Sequence, residues 1–215
     1  QRIRTEDRHS RALAASNPWV RSPDMRAFLC DSPGSDPRLG ELPEPSCGPD
    51  EVLVEVATAG LNYADLLVSR GTYQVTPDPP FALGFETAGT VVAAGAEVTT
   101  HRVGDRVVSL GVGGAFAERR VVKADWTFPL PEAMSFEEAA SWFVPYTTAH
   151  HALIDRGYIV KGETLLVLGA SGGVGQAAVA LGRVLGARII AATSTEEKAA
   201  AARGLGAHHI IRYDG

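Results

Sequence analysis

The amino-acid sequence predicts a mixed α/β protein in which a β-rich N-terminal domain precedes a strand–helix repeat that builds a parallel sheet. Three observations predict it. Glu51 to Ala59 (EVLVEVATA) alternates apolar and polar residues with the period of a half-buried strand. Thr164 to Leu168 is an apolar run that leads into Gly169, Ala170, Gly172, Gly173 and Gly175, and then into apolar residues at helical spacing from Gln176 to Leu185. The chain next repeats strand and helix, with strands at 187–192 and 208–212 flanking a helix from Glu196 to Leu205.

Composition sets outer bounds. The 215 residues are 45% apolar and 21% charged, ordinary for a globular protein and enough for two modest cores. A formal net charge of −5 argues against a general nucleic-acid surface. No apolar run approaches the roughly 18 residues of a transmembrane helix. Cys30 and Cys47 are too few for a disulfide framework or a structural zinc site, and they fit a reducing cytosol.

Taken in order, residues 1–24 are arginine-rich and aperiodic and read as a leader or extension. A transit peptide is the alternative, and Glu6 and Asp7 count against it. Residues 25–134 form the β-rich domain. It has strands expected at Arg26 to Cys30, Glu51 to Ala59, Gly89 to Ala93, Arg106 to Leu110 and Phe116 to Val122, and a short helix from Asn62 to Arg70. The Pro-rich segment Pro43 to Pro49 is a surface connection. Residues 135–215 open with Ser135 and Glu138 as a capping box on an apolar helix that Pro145 interrupts, and helical spacing resumes from Thr147 to Ile154.

The strand, glycine turn and helix after residue 163 meet the requirements of a dinucleotide fingerprint. The pattern is A-x-G-x-x-G, with Ala170 in the first glycine position and Ser171, Gly172, Gly173, Val174 and Gly175 completing the turn. Gly172 lets backbone N–H groups approach a diphosphate at a helix N-terminus, and Gly175 lets the helix pack close to the strand. A glycine-rich turn in any α/β protein is the plainer reading. About 20 residues on, where a carboxylate would bind a ribose hydroxyl, the chain has Thr193, Ser194 and Thr195. A hydroxyl there can bond the 2′-phosphate of NADP, and Lys198 can neutralise it. The Coulomb attraction is at most about 4 kcal/mol at an effective dielectric near 20. Even a third of that favours NADP(H) over NAD(H) about tenfold. Ser194 read as the cap of the helix that carries Lys198 is the structural alternative.

The sequence resembles the medium-chain dehydrogenase/reductase superfamily, and within it the zinc-free NADPH:quinone oxidoreductase, zeta-crystallin-like branch. The resemblance runs from Met25 onward. It is carried by Gly60-Leu61-Asn62-Tyr63-Ala64-Asp65, Arg70-Gly71-Thr72-Tyr73, Leu83-Gly84-Phe85-Glu86-Thr87-Ala88-Gly89, Val103-Gly104-Asp105-Arg106-Val107, Gly114-Ala115-Phe116-Ala117-Glu118, Thr148-Ala149 and ASGGVGQAAVAL. It implies a GroES-like β domain beside a Rossmann domain, with the cofactor in the cleft between them. It further implies that Asn62 and Tyr73 face the nicotinamide, that Thr148 bonds its carboxamide, and that Tyr213 lies at the 2′-phosphate. A phenol at Tyr73 can stabilise a developing oxyanion without being ionised itself. A loop tyrosine shielding the β domain is the other reading, and Tyr63 reads as core helix packing.

Zinc is not expected, because the family's zinc-binding branch has a Cys near Asn62-Tyr63 and a His near Phe85, and neither is present. The six histidines lack ligand spacing and read as solvated or locally bonded, with His101 in a turn. What the resemblance implies is hydride transfer from NADPH to a small planar quinone or enone in a cytoplasmic protein, with a homodimer as the default. Against a full fold of two βαβαβ halves, the sequence shows only the first. The expectation is therefore that family activity belongs to a longer parent and that the first strand carries an open apolar edge. An enoyl-thioester reductase and a non-catalytic nucleotide-binding or structural protein are the competing functions.

Overall fold

The computed structural model describes residues 24–213, so that nearly all of the leader expected at 1–24 lies outside them. The β-rich part contains two antiparallel sheets. Strands β1 (Asp24–Cys30), β2 (Arg38–Pro43) and β4 (Phe81–Ala82) pair in the order β2-β1-β4. Strands β3 (Glu51–Gly60), β5 (Glu86–Ala94), β6 (Arg106–Leu110), β7 (Arg119–Lys123) and β8 (Thr127–Pro129) form the larger sheet, ordered β7-β3-β5-β6-β8. Val52, Val54, Val91, Val107 and Val122 fill its core, as the alternation of β3 requires. The β3–β5 pairing shifts register between Leu53 and Val54 and again between Val56 and Thr58.

Helix α1 (Tyr63–Ser69) starts at Asn62, whose N–H donates to the Asp65 carboxylate at 2.7 Å. Helix α2 (Phe136–His150) has the expected Ser135–Glu138 capping box, with reciprocal bonds of 3.1 and 2.8 Å. Pro145 does not interrupt it. The helix runs through Pro145 and continues into a π-helical segment, His151–Arg156. Buried Ala139 and Ala140 seat α2 on Ala88 and Val108 of the larger sheet and on Leu130 just beyond β8.

The final segment alternates β9 (Thr164–Val167), α3 (Gly173–Val184), β10 (Arg188–Thr193), α4 (Glu196–Gly204) and β11 (His209–Arg212). The strands are parallel in the order β11-β10-β9, and Val167, Val179, Ile189 and Ala191 form their core with α3. Among the described residues β9 is an outer strand, with Leu166 and Leu168 exposed. The architecture is that of a GroES-like β domain followed by the first half of a Rossmann sheet, as the sequence predicts. Besides the helix break at Pro145, one expected strand differs in detail. The strand expected at Phe116 to Val122 begins only at Arg119, because Ala117 makes a single bridge to Ala27 instead. Strands β2, β4 and β8 are too short or too irregular in pattern to have been read from sequence.

Candidate functional site

The glycine turn places the start of α3 at the C-terminal end of β9. Gly172 is the N-cap and no side chain caps the helix. Its N–H closes the turn on Gly169 O at 3.0 Å, and the Gln176 N–H bonds Gly172 O at 2.8 Å. The N–H groups of Gly173, Val174 and Gly175 are therefore the first-turn donors, which an α-helix leaves without intrahelical partners. Buried Ala170 donates to Ala192 O at 3.2 Å and so draws the turn against the end of β10. Ser171 O accepts from the Gln176 side chain at 2.8 Å. A Cβ at Gly175 would lie 2.3 Å from Gly169 O, so this close approach of helix to turn requires glycine.

A cleft of about 530 Å³ opens in front of these donors. Its opposite wall is Gly60, Asn62, Tyr63 and Glu86, and Pro145 of α2 lies at its side. Asn62 Nδ2 donates to Glu86 Oε1 at 2.8 Å, while Glu86 Oε2 accepts the Val144 N–H of α2 at 2.7 Å. Glu86 is buried, and burial pushes its carboxyl above the ordinary range, opposed by the bonds from Val144 and Asn62. Gly60 makes room for this carboxylate, since a Cβ there would sit 2.0 Å from Ala140 O and 2.4 Å from Glu86 Oε1. Tyr63 is 71% exposed and lines the cleft, contrary to the expectation that it packs in the core.

Tyr73 and Thr148 line a second recess of about 510 Å³, together with Phe85, Leu110, Val112 and Trp126. The Tyr73 ring meets Phe85 edge-on at 5.2 Å between centroids. Asn62 and Tyr73, expected to face one group, thus line separate recesses. Adjacent residues divide between the two: Phe85 and Val144 line one recess, Glu86 and Pro145 the other.

Beyond the end of β10, Lys198 Nζ donates to Ser194 Oγ at 3.1 Å. Ser194 is not the helix cap. That role falls to Thr195, whose hydroxyl accepts the Lys198 N–H at 3.3 Å and leaves Ser194 free to face its lysine. Tyr213 is anchored to the same strand end by its N–H on Thr193 O at 3.1 Å. The three residues gather at the C-terminal ends of β10 and β11, where open parallel sheets bind ligands.

Asp65 and Arg120 are buried in the same β-rich part. Asp65 is desolvated, which raises its carboxyl to about 6 against the bond from Asn62 and the charge of Arg120. Arg120 is lowered to about 10 by burial, and its guanidinium bonds Phe85 O, Ser109 O and Gly111 O at 3.2, 3.3 and 2.8 Å. His101, expected in a turn as a solvated or locally bonded histidine, is bonded: it is buried with Nε2 between the carbonyls of Ala124 and Thr127. Among the described residues no three His, Cys, Asp or Glu side chains converge on one point. None of their helices is long and apolar enough to cross a membrane.

The Alcohol dehydrogenase GroES-like domain family matches residues 48–132. Mouse (Mus musculus) "Quinone oxidoreductase-like protein 2" is 37% identical over 189 residues, 87% of this chain and 54% of that protein. The human "Synaptic vesicle membrane protein VAT-1 homolog" is 40% identical over 169 residues, 79% of this chain and 43% of that protein. The quinone oxidoreductase of Thermus thermophilus, solved also in complex with NADPH, superposes with a TM-score of 0.79 at 38% identity, covering 88% of this chain and 60% of that one. These likenesses agree with the resemblance of the sequence to the medium-chain dehydrogenase/reductase superfamily. It spans about half the length of the curated relatives it matches. Helix α2 follows the GroES-like match and packs on both the larger sheet and α3, which is how one helix comes to wall both recesses.

Proposed function

We propose that this medium-chain dehydrogenase/reductase chain carries the NADPH site of a zinc-independent oxidoreductase that transfers a hydride to a quinone or a related activated enone. The observation that carries the reading is the start of α3. Its three backbone donors, with no capping side chain, open on the cleft that Asn62 and Tyr63 wall. The Ser194–Lys198 pair stands at the next strand end. The donors suit a diphosphate, where the helix dipole adds to them. The hydroxyl and ammonium suit a second phosphate and offer no carboxylate to a ribose diol. The related Thermus thermophilus enzyme was solved with NADPH, which supports the same cofactor here.

Bound NADPH supplies the hydride. The chain's own residues orient, exclude water and stabilise charge. Asn62 serves the glycine-turn cleft. Thr148 and Tyr73 serve the neighbouring recess, whose aromatic and aliphatic walls fit a flat acceptor, and the Tyr73 hydroxyl donates a hydrogen bond to the oxygen on which negative charge develops. Zinc independence is supported by residue chemistry, since Asn62, Tyr63 and Phe85 are poor zinc ligands. Both oxygens of Glu86 are engaged by Asn62 and Val144. A cytoplasmic location accords with this reading.

Fluorescence titration of the chain with NADPH and NADH tests the cofactor site, and loss of NADPH absorbance on adding para-benzoquinone tests the reaction. Tighter binding of NADPH than of NADH is expected. Equal affinities, or none, would overturn the assignment of the α3 terminus and its phosphate pair.

A further inference from the structure

Glu86 has two carboxylate oxygens and two donors, one on each side of the junction between the β domain and α2. Oε1 accepts from the Asn62 amide at 2.8 Å and Oε2 from the Val144 backbone at 2.7 Å, while Gly60 leaves the space the side chain occupies. The Val144 N–H is a fixed donor, and it takes one oxygen whatever the side chain at position 86. The remaining oxygen is an acceptor only, so it admits the NH₂ edge of Asn62 and rejects the carbonyl edge, which would set two acceptors face to face. The amide of Asn62 is thereby locked in one of its two orientations, on the wall that faces the first-turn donors of α3.

We infer that Glu86 is a positioning residue that fixes which edge of the Asn62 amide is presented to a cofactor in the cleft. This rests on the proposed NADPH site. The charges packed around the carboxylate are consistent with the role. Asp65 repels it, and no cation pairs with it directly among the described residues, so two directional hydrogen bonds hold its geometry.

The glutamine variant isolates this role. In Glu86→Gln the side-chain carbonyl accepts from Val144, and the NH₂ group then faces Asn62, which must turn its amide over to offer an acceptor. Size and both contacts are kept, while the presented edge is inverted. The expected result is a melting temperature close to the parent's and NADPH affinity about tenfold weaker. In an Asn62→Ala background Glu86→Gln should cause no further loss, since the group it orients is gone. A second readout needs no cofactor: the side-chain NH₂ resonance of Asn62 in the free chain should shift strongly upfield in the variant, as its bond to a charged acceptor is lost. Unchanged NADPH affinity, or additive losses in the double variant, would overturn the inference. An Asn62 resonance that stays in place would overturn it whether or not the chain binds NADPH. Failure of the parent chain to bind NADPH would instead count against the proposed cofactor site.

Discussion

Lys198 reaches back one helical turn to donate to Ser194, at the point where the neighbouring strand brings its end beside the glycine turn. The pairing leaves the ammonium and hydroxyl as a ready anion contact. Lys198→Ala should therefore weaken NADPH about tenfold and NADH by less than twofold, as read by fluorescence titration of both. Equal losses would show that the lysine does not discriminate the phosphate.

The glycines at 172 and 175 separate fold from ligand. A Cβ at Gly172 meets only Gly169 O, at 3.5 Å, and the φ of −74° suits any residue. Gly172→Ala is thus expected to melt within a degree or two of the parent yet to bind NADPH poorly, because the new methyl stands before the first-turn donors. Gly175→Ala forces a methyl to 2.3 Å from Gly169 O and should cost about 1–3 kcal/mol of stability as well. Urea unfolding with parallel titration tells the two apart.

Tyr73 offers a hydroxyl without depending on it for packing, since its ring contact to Phe85 is edge-on aromatic. Tyr73→Phe should keep the melting temperature and the KM for NADPH while lowering kcat about tenfold to a hundredfold, the effect of one hydrogen bond to developing charge, about 1.5–3 kcal/mol. Steady-state kinetics with para-benzoquinone measures it.

Asp65 gives stability a pH dependence with a definite sign. Its folded carboxyl titrates near 6 and its unfolded one near 3.9, so the native state holds the proton more tightly. The stabilisation this provides is complete below the unfolded value and is lost as pH rises through 6. Asp65→Asn lacks the step. The parent's stability relative to the variant should fall by about 2–3 kcal/mol between pH 4 and pH 7 in urea unfolding. Glu86 is held above the ordinary range chiefly by burial, which the substitution leaves in place, and Arg120 stays charged throughout this range.

Much of the fold was legible because its signals are local. The alternation of Glu51 to Ala59, the Ser135–Glu138 cap and the glycine turn each act within a few residues, and each formed where expected. Pro145 misled because a proline removes one helical bond, while burial of Ala139, Ala140 and Ala149 on either side holds the helix together regardless. Ser194 and Thr195 are both competent caps in sequence, and only the backbone turn decides between them. In the candidate site, the roles of Glu86 and Arg120 had no local signature, since the partners of Glu86 lie 24 and 58 residues away and those of Arg120 depend on which carbonyls a sheet leaves open, whereas Asp65 pairs with Asn62 only three residues before it. A charged residue inside an apolar block, as Glu86 is in Leu83-Gly84-Phe85-Glu86, was the one available hint.

The two register shifts between β3 and β5 acquire a meaning from what β5 begins with. Glu86 opens β5 and lines the glycine-turn cleft, while Phe85, at the bend just before it, lines the neighbouring recess. Glu86 pairs with Gly60, and sliding the strand by a single position would turn the carboxylate to the opposite face of the sheet, away from both of its donors. The bulged stretch Leu53 to Thr58 sets the register that ends at this pair, so an indel there would reach the chemistry of the cleft and not merely dent the sheet.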